Sequence, residues 1–193
     1  MQLILASTSP YRAALLERLG IPFDTVRPEV DETPAPGEAP ADLVLRLARL
    51  KARAGGRTLT DALVIGSDQV AELDGVVLGK PGTAERARSQ LSRLSGREVT
   101  FLTGLCLLDT RDGGEQAAVV QTPVHFRHLS AVEIADYVAR ENPLDCAGAF
   151  KSEGLGIALF ESLGGPDPNA LIGLPLIELC RMLARAGLPV LGR

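Results

Sequence analysis

Cysteine and histidine are scarce in this chain. Three cysteines (Cys106, Cys146, Cys180) are scattered over 193 residues, and His125 and His128 are the only histidines. An odd cysteine set without Cys-x-x-Cys spacing excludes a disulfide frame or zinc site and reads as reduced structural thiols in a cytoplasmic protein. Histidines three apart on a strand face opposite sides, so the pair reads as structural or surface rather than as a shared metal site. An excess of basic charge is also missing. The net charge of −4 excludes a surface that coats nucleic acid, so basic residues that matter are few and placed in a site. No stretch approaches the ~20 apolar residues of a membrane span. The opening apolar run, Leu3 to Ala6, is too short for a signal-peptide core and has no Lys or Arg before it. Repeats and low-complexity segments are absent too. What remains is 46% hydrophobic and 23% charged, enough for a real core in one domain or two small lobes.

The most informative stretch is Leu3 to Arg12, LILASTSPYR. Its apolar run predicts a buried strand that stops at Ser7-Thr8-Ser9. Ser9 suits a helix N-cap and Pro10 the first helical position, predicting a helix from Pro10 to about Leu19 stopped by Gly20. Such a junction aims backbone N–H groups and the helix dipole at one spot, and Arg12 can reach back with its planar donors. It is a ready cradle for phosphate or carboxylate.

A second strand is expected over Ile21–Val26. Arg27 to Pro40 is too proline-rich for regular structure and carries the carboxylate cluster Glu29, Asp31, Glu32. It reads either as a solvated acidic loop or as the rim of a metal–phosphate site. Asp42 to Ala54 is an amphipathic helix with Leu43, Val44, Leu47 and Leu50 in helical spacing. Lys51 falls on its apolar side, either snorkelling to an edge or pointing into a cleft. In Ala62 to Val70, a buried strand delivers Asp68 at its end. Gly66 there admits another backbone or a ligand, and Asp68 is a catalytic or metal-binding candidate beside the plain reading of a turn former.

Leu73-Asp74-Gly75-Val76 predicts a hairpin leading back to Gly79-Lys80-Pro81. Thr83 caps a helix to Leu94. Strands are expected over Val99–Asp109 and Ala117–Leu129, and Ser130 to Glu133 forms a capping box. A further strand is expected over Gly156–Leu163. The last helix, Pro175–Ala186, should bury Ile177, Cys180 and Leu183.

Taken together, LASTSPYR, EVDE (29–32), GSDQV (66–70), GKP (79–81), SGREVTFLTG (95–104), DCAGAFKSEG (145–154) and NALIGLPL (169–176) stand in an order and spacing that resembles the Maf family of nucleoside triphosphate pyrophosphatases. GSDQV, HFRHLS and GAFKSEG resemble its YceF-type subgroup, which hydrolyses 7-methyl-GTP. The resemblance implies an α/β, two-lobed Maf/ITPase-like fold with a central mixed sheet, flanking helices and a cleft between lobes, all within one domain.

The resemblance also implies roles. Ser7, Arg12, Lys51 and Lys80 would hold the triphosphate, and Lys51 and Lys80 join Asp68 in the catalytic set. Asp68 would accept the proton of the attacking water, with Asp68 and Glu32 near a divalent cation (Mg, Mn or Co). Tyr11, Gln69 and Glu153 fall where the family selects its base. A carboxylate at Glu153 accepts from the guanine N1–H and N2–H₂ groups and gains from the positive charge that N7 methylation adds. Tyr11 departs from the Trp expected in some subgroup members, which implies looser methylguanine selection; packing under the first helix is its plain alternative. The expected partner is the nucleotide substrate, with a homodimer the assembly that the family suggests, and with no nucleic acid and no membrane. Competing readings are a pyrophosphatase for dTTP, UTP or other nucleotides, and a nucleotide-binding regulator of septum formation.

Overall fold

The computed structural model describes residues 1–192. Seven strands form one mixed sheet: β1 (Gln2–Ala6), β2 (Asp24–Val26), β3 (Ala62–Leu73), β4 (Val76–Leu78), β5 (Glu98–Asp109), β6 (Glu115–Phe126) and β7 (Phe160–Leu163). Their order is β2-β1-β3-β5-β6-β7, with β4 paired to β3. β1 runs parallel to both β2 and β3, while β3–β4 and β6–β7 are antiparallel. Among the described residues five α-helices accompany the sheet: α1 (Pro10–Glu17), α2 (Pro40–Gly56), α3 (Ala84–Leu94), α4 (Ala131–Glu141) and α5 (Leu176–Arg185). Among the described residues no helix is long and apolar enough to cross a membrane.

The chain divides into two compact units, one of Met1–Asp68, Thr103–Val120 and Asp167–Arg193, the other of Gln69–Leu102 and Gln121–Pro166. In the first unit the strands are covered on both faces, which is why their sequences read as unbroken apolar runs rather than alternations. Leu3, Leu5, Leu63, Ile65, Leu105 and Leu107 pack with α1 and α5. Their neighbours Ile4, Ala6, Ala62, Val64, Cys106 and Leu108 face Ala48 and Ala52 of α2. Two glycines let that helix come down on the sheet. A Cβ on Gly66 would strike the Ala48 carbonyl oxygen and lie 2.6 Å from the Ala52 nitrogen; one on Gly104 would meet the Val44 carbonyl group. Of the two readings of Gly66, the structure selects approach by another backbone.

In the second unit, Phe150 stacks edge-on against Phe101, Phe126 and Phe160, with centroids 5.0, 5.6 and 4.8 Å away. Asp74 (φ 53°) and Gly75 (φ 77°) make the tight β3–β4 turn. The capping box on α4 forms in both directions between Ser130 and Glu133. His125 Nε2 meets Glu98 at 2.7 Å.

Several local expectations need correcting. Residues Leu155–Leu159 form a 3₁₀ turn, and only Phe160–Leu163 is strand. The cause is the Lys151 carbonyl, which accepts from the N–H groups of both Gly154 (3.2 Å) and Gly156 (3.0 Å) and curls the chain before it can extend. On α5 the buried residues are Leu176, Leu179, Met182 and Leu183, while Ile177 is exposed, so the inward stripe is rotated from the one expected. α1 stops at Glu17 because its last turn tightens, with Leu19 N–H donating to Leu16 and Gly20 N–H to Glu17. It buries Leu15 and Leu16, and Ala14 is exposed. β2 is only three residues long.

Candidate active site

Five of the expected site residues meet in the first unit. α2 descends onto β3 at Gly66, so Lys51, beside Ala52 in the sequence, arrives next to Asp68. Its Nζ donates to Asp68 Oδ1 at 2.6 Å and lies 2.7 Å from Glu32 Oε1. Lys51 is buried along its stem and does not snorkel to the edge. Asp68 is buried as well, whereas Glu32 is exposed. Asp68 does not stand at the end of its own strand, because β3 runs on to Leu73. It stands beyond the end of β1, whose pairing with β3 stops at Ala6 opposite Gly66. Termination of the neighbouring parallel strand opens the place for the carboxylate, in keeping with ligand sites beyond the carboxyl ends of strands.

On the α1 side, Arg12 Nε donates to the Gly173 carbonyl at 2.8 Å, and Nη1 lies 3.4 Å from Ser7 Oγ. Burial lowers the Arg12 pKa from its ordinary value, opposed by the charges of Asp68 and Glu32. That coupling ties the arginine electrostatically to the lysine–carboxylate cluster. The turn before α1 differs from expectation in one respect. Ser7 Oγ accepts the Ser9 N–H (3.1 Å) and Ser9 Oγ accepts the Arg12 N–H (3.3 Å), so these two amides are consumed locally. The guanidinium is therefore the stronger anion donor of this turn. With Nε held by a backbone carbonyl, its outer edge is oriented for a forked contact with phosphate.

Gly173 and Ser67 join the site without having been singled out for a role. The Ser67 hydroxyl lies within donating distance of the carbonyls of Gly104 (2.8 Å) and Gly173 (2.9 Å). Gly173 sits at φ 123°, a conformation that side chains rarely adopt. Buried Asp167 shapes this turn. Its Oδ1 accepts the Asn169 N–H at 2.9 Å, and its Oδ2 accepts the Ile177 N–H of α5 at 2.6 Å. The available signals were the glycine inside NALIGLPL and the serine inside GSDQV.

Tyr11, partly buried on α1, belongs to the same unit. Gln69, Lys80 and Glu153 belong to the second unit: Gln69 partly buried on β3, Lys80 exposed between β4 and α3, and Glu153 exposed after Phe150.

A hard divalent cation prefers oxygen ligands and retains water and phosphate oxygens in its shell. Asp68 and Glu32 offer carboxylates that both reach Lys51 Nζ, and among the described residues no group of three or more His, Cys, Asp or Glu gathers to form a cage. The donor set fits an ion shared with a phosphate ligand rather than one held by protein alone.

Residues 2–186 match the family described as Maf-like protein. The chain belongs to the Maf family. A curated relative from Nitrosococcus oceani, named 7-methyl-GTP pyrophosphatase, is 56% identical over 189 residues, covering 98% of this Maf chain and 95% of its own length. A solved HAM1 protein from Coxiella burnetii is 16% identical and superposes with a TM-score of 0.53, covering 96% of this chain and 99% of that one. That likeness shows a shared α/β fold.

Proposed function

We propose that this chain is a nucleoside triphosphate pyrophosphatase that cleaves the α–β phosphoanhydride of 7-methyl-GTP, giving 7-methyl-GMP and pyrophosphate. The observation that carries this is the cluster of Lys51, Asp68 and Glu32, with the charges of the two carboxylates acting on Arg12. The 56% identity to the Nitrosococcus enzyme supports the substrate.

Hydrolysis of a phosphoanhydride depends on positioning and charge neutralisation more than on covalent chemistry. The two cations and two carboxylates of the cluster sum to zero charge. A triphosphate brings about four negative charges, so further positive charge has to come with it or from elsewhere in the chain. Lys80 supplies one cation in this reading. A divalent ion (Mg, Mn or Co) held by Asp68 and Glu32 would supply two more and clamp the phosphate oxygens. Arg12 and Ser7 grip the phosphate chain. Asp68 accepts the proton of the attacking water, and Lys51 keeps that carboxylate aimed while offering its remaining hydrogens to phosphate. Tyr11, Gln69 and Glu153 select the base, with Glu153 favouring the cationic methylguanine. In this reading the enzyme works in the cytoplasm to clear a modified nucleotide, and a homodimer is the assembly that the family resemblance suggests.

The test pairs pyrophosphate release with calorimetric nucleotide binding. Asp68→Asn should abolish release while leaving 7-methyl-GTP bound, and substantial residual turnover would remove Asp68 from its role. Glu153→Gln should reduce the preference for 7-methyl-GTP over GTP, and an unchanged ratio would defeat the charge argument. A panel with dTTP and UTP separates the alternative substrates, and binding without turnover would favour a regulator.

A further inference from the structure

We propose that Arg46 is a positioning residue of this site: its guanidinium ties the loop bearing Glu32 to α2, and so sets where Glu32 stands relative to Lys51 and Asp68. The inference rests on the pyrophosphatase reading above and adds a residue to it.

The loop from Arg27 to Ala39 has no helix or strand of its own, and its prolines forbid a ladder. It is not seated on the core either. A cavity of about 430 Å³ lies between it and α2, lined by Val30, Asp31 and Thr33 from the loop and by Arg46, Leu50 and Ala54 from the helix. Across this space, polar ties help to fix where the loop rests.

Arg46 makes those ties. Its Nε and Nη2 grip the two carboxylate oxygens of Glu38 at 2.6 and 2.7 Å, and Nη2 also reaches the Thr33 carbonyl at 3.2 Å. Thr33 follows Glu32 directly in the chain. Glu38 in turn accepts the Ala35 N–H at 2.9 Å, holding the far side of the loop. The pairing keeps Glu38 at a pKa of about 2, and Arg46 is raised by the same contact. Arg46 and Lys51 are carried by the same helix, so the fork and the lysine share one rigid frame. A bidentate arginine–carboxylate clamp adds directional restraint as well as attraction, and lysine cannot reproduce it. Arg46 touches no reacting atom in this arrangement; it acts through Glu32.

The direct measurement is titration of the full-length protein with Mn²⁺ alone, reading free ion by electron paramagnetic resonance. Arg46→Gln and Glu38→Gln each cut the clamp from one side and should weaken Mn²⁺ binding by about tenfold, the lower end of what supporting residues of metal ligands contribute. Arg46→Lys should fail to restore it. In a Glu32→Gln background, Arg46→Gln should add no further loss. In steady state the Arg46 variants should raise the Mn²⁺ concentration needed for half-maximal pyrophosphate release while keeping kcat at saturating Mn²⁺. A residue that served only folding would lower the melting temperature and weaken binding equally in both backgrounds. Unchanged Mn²⁺ affinity in Arg46→Gln, or an equal loss with and without Glu32, overturns the proposal. If the unaltered protein binds Mn²⁺ and releases pyrophosphate while the Arg46 variants match it, only the positioning role falls. If the unaltered protein does neither, the functional reading falls and this proposal with it.

Discussion

Replacing Gly66 with alanine tests the packing that brings Lys51 to Asp68. The new Cβ would strike the Ala48 carbonyl oxygen and come within 2.6 Å of the Ala52 nitrogen. Ordinary contact begins near 3.4 Å, so clearing the Ala52 nitrogen alone takes roughly 0.8 Å of withdrawal, and the nearer Ala48 oxygen takes more. Both obstacles are backbone atoms and cannot rotate away, which places the cost at the upper end of overpacking, about 3 kcal/mol. For a chain of this size each kcal/mol lowers the melting point by about 2–4 °C, so a fall of about 6–12 °C is expected. Activity should suffer beyond the stability loss. A helix shift near 1 Å moves Lys51 off Asp68, and misplacement on that scale costs on the order of 10²-fold in rate. Scanning calorimetry supplies the first number, and pyrophosphate release measured well below the variant's melting point supplies the second. A Gly66→Ala protein that melts within about 2 °C of the unaltered chain and keeps its rate would refute the claim that backbone contact at Gly66 sets the site.

Phe150→Ala should cost about 3–5 kcal/mol, because Phe150 contacts three other rings; a loss under about 1 kcal/mol in urea denaturation would show that the cluster repacks freely. Glu133 is held at about 2 by the Ser130 backbone and hydroxyl and then by Arg127, below its ordinary 4.5. The native state therefore binds fewer protons than the unfolded chain, and stability from this group, full above pH 4.5, is lost as pH falls toward 2. Glu133→Gln should thus show a shallower drop in urea midpoint between pH 5 and pH 3, and an identical drop would sink this assignment.

The sequence-level reading recovered what short-range chemistry dictates. Ser9, Thr83 and Ser130 all cap helices by accepting a backbone N–H three residues on, as their side chains and neighbours required. Lys51 was recognisable on the apolar side of α2 from helical spacing alone. The contacts that assemble the site were a different matter. Arg12 and Gly173 are 161 residues apart, and nothing local marks a carbonyl as the acceptor of a particular guanidinium. The misjudged segments share a cause. At 156–159 a strand was expected, but one carbonyl accepting two amide donors outweighed extension. On α5, periodicity gave a helix yet left its rotation open, because Asp167 anchors its first turn from outside the helix.

The site divides into groups held by regular structure and one held by a loop, and the division has a chemical logic. Asp68 on β3, Lys51 on α2 and Arg12 on α1 are fixed by packed elements. Such groups would hold the directions that proton abstraction and phosphate recognition demand in the proposed reaction. Glu32, more than half exposed, arrives on a segment tied at Arg46 and by its contact with Lys51. Lys51 has three N–H donors and already faces two carboxylates, so a single donor is left for an incoming phosphate unless one contact is exchanged. As a polyanion with its counter-cation comes in, the contact most easily exchanged is the one to the exposed loop carboxylate, because breaking it returns Glu32 to water or to the incoming cation. The buried Lys51–Asp68 pair has no such outlet, since parting it would strand a charge in a dry environment. Substrate loading is therefore expected to draw on the Glu32 side of the lysine, while the lysine–aspartate pair remains the fixed reference of the site.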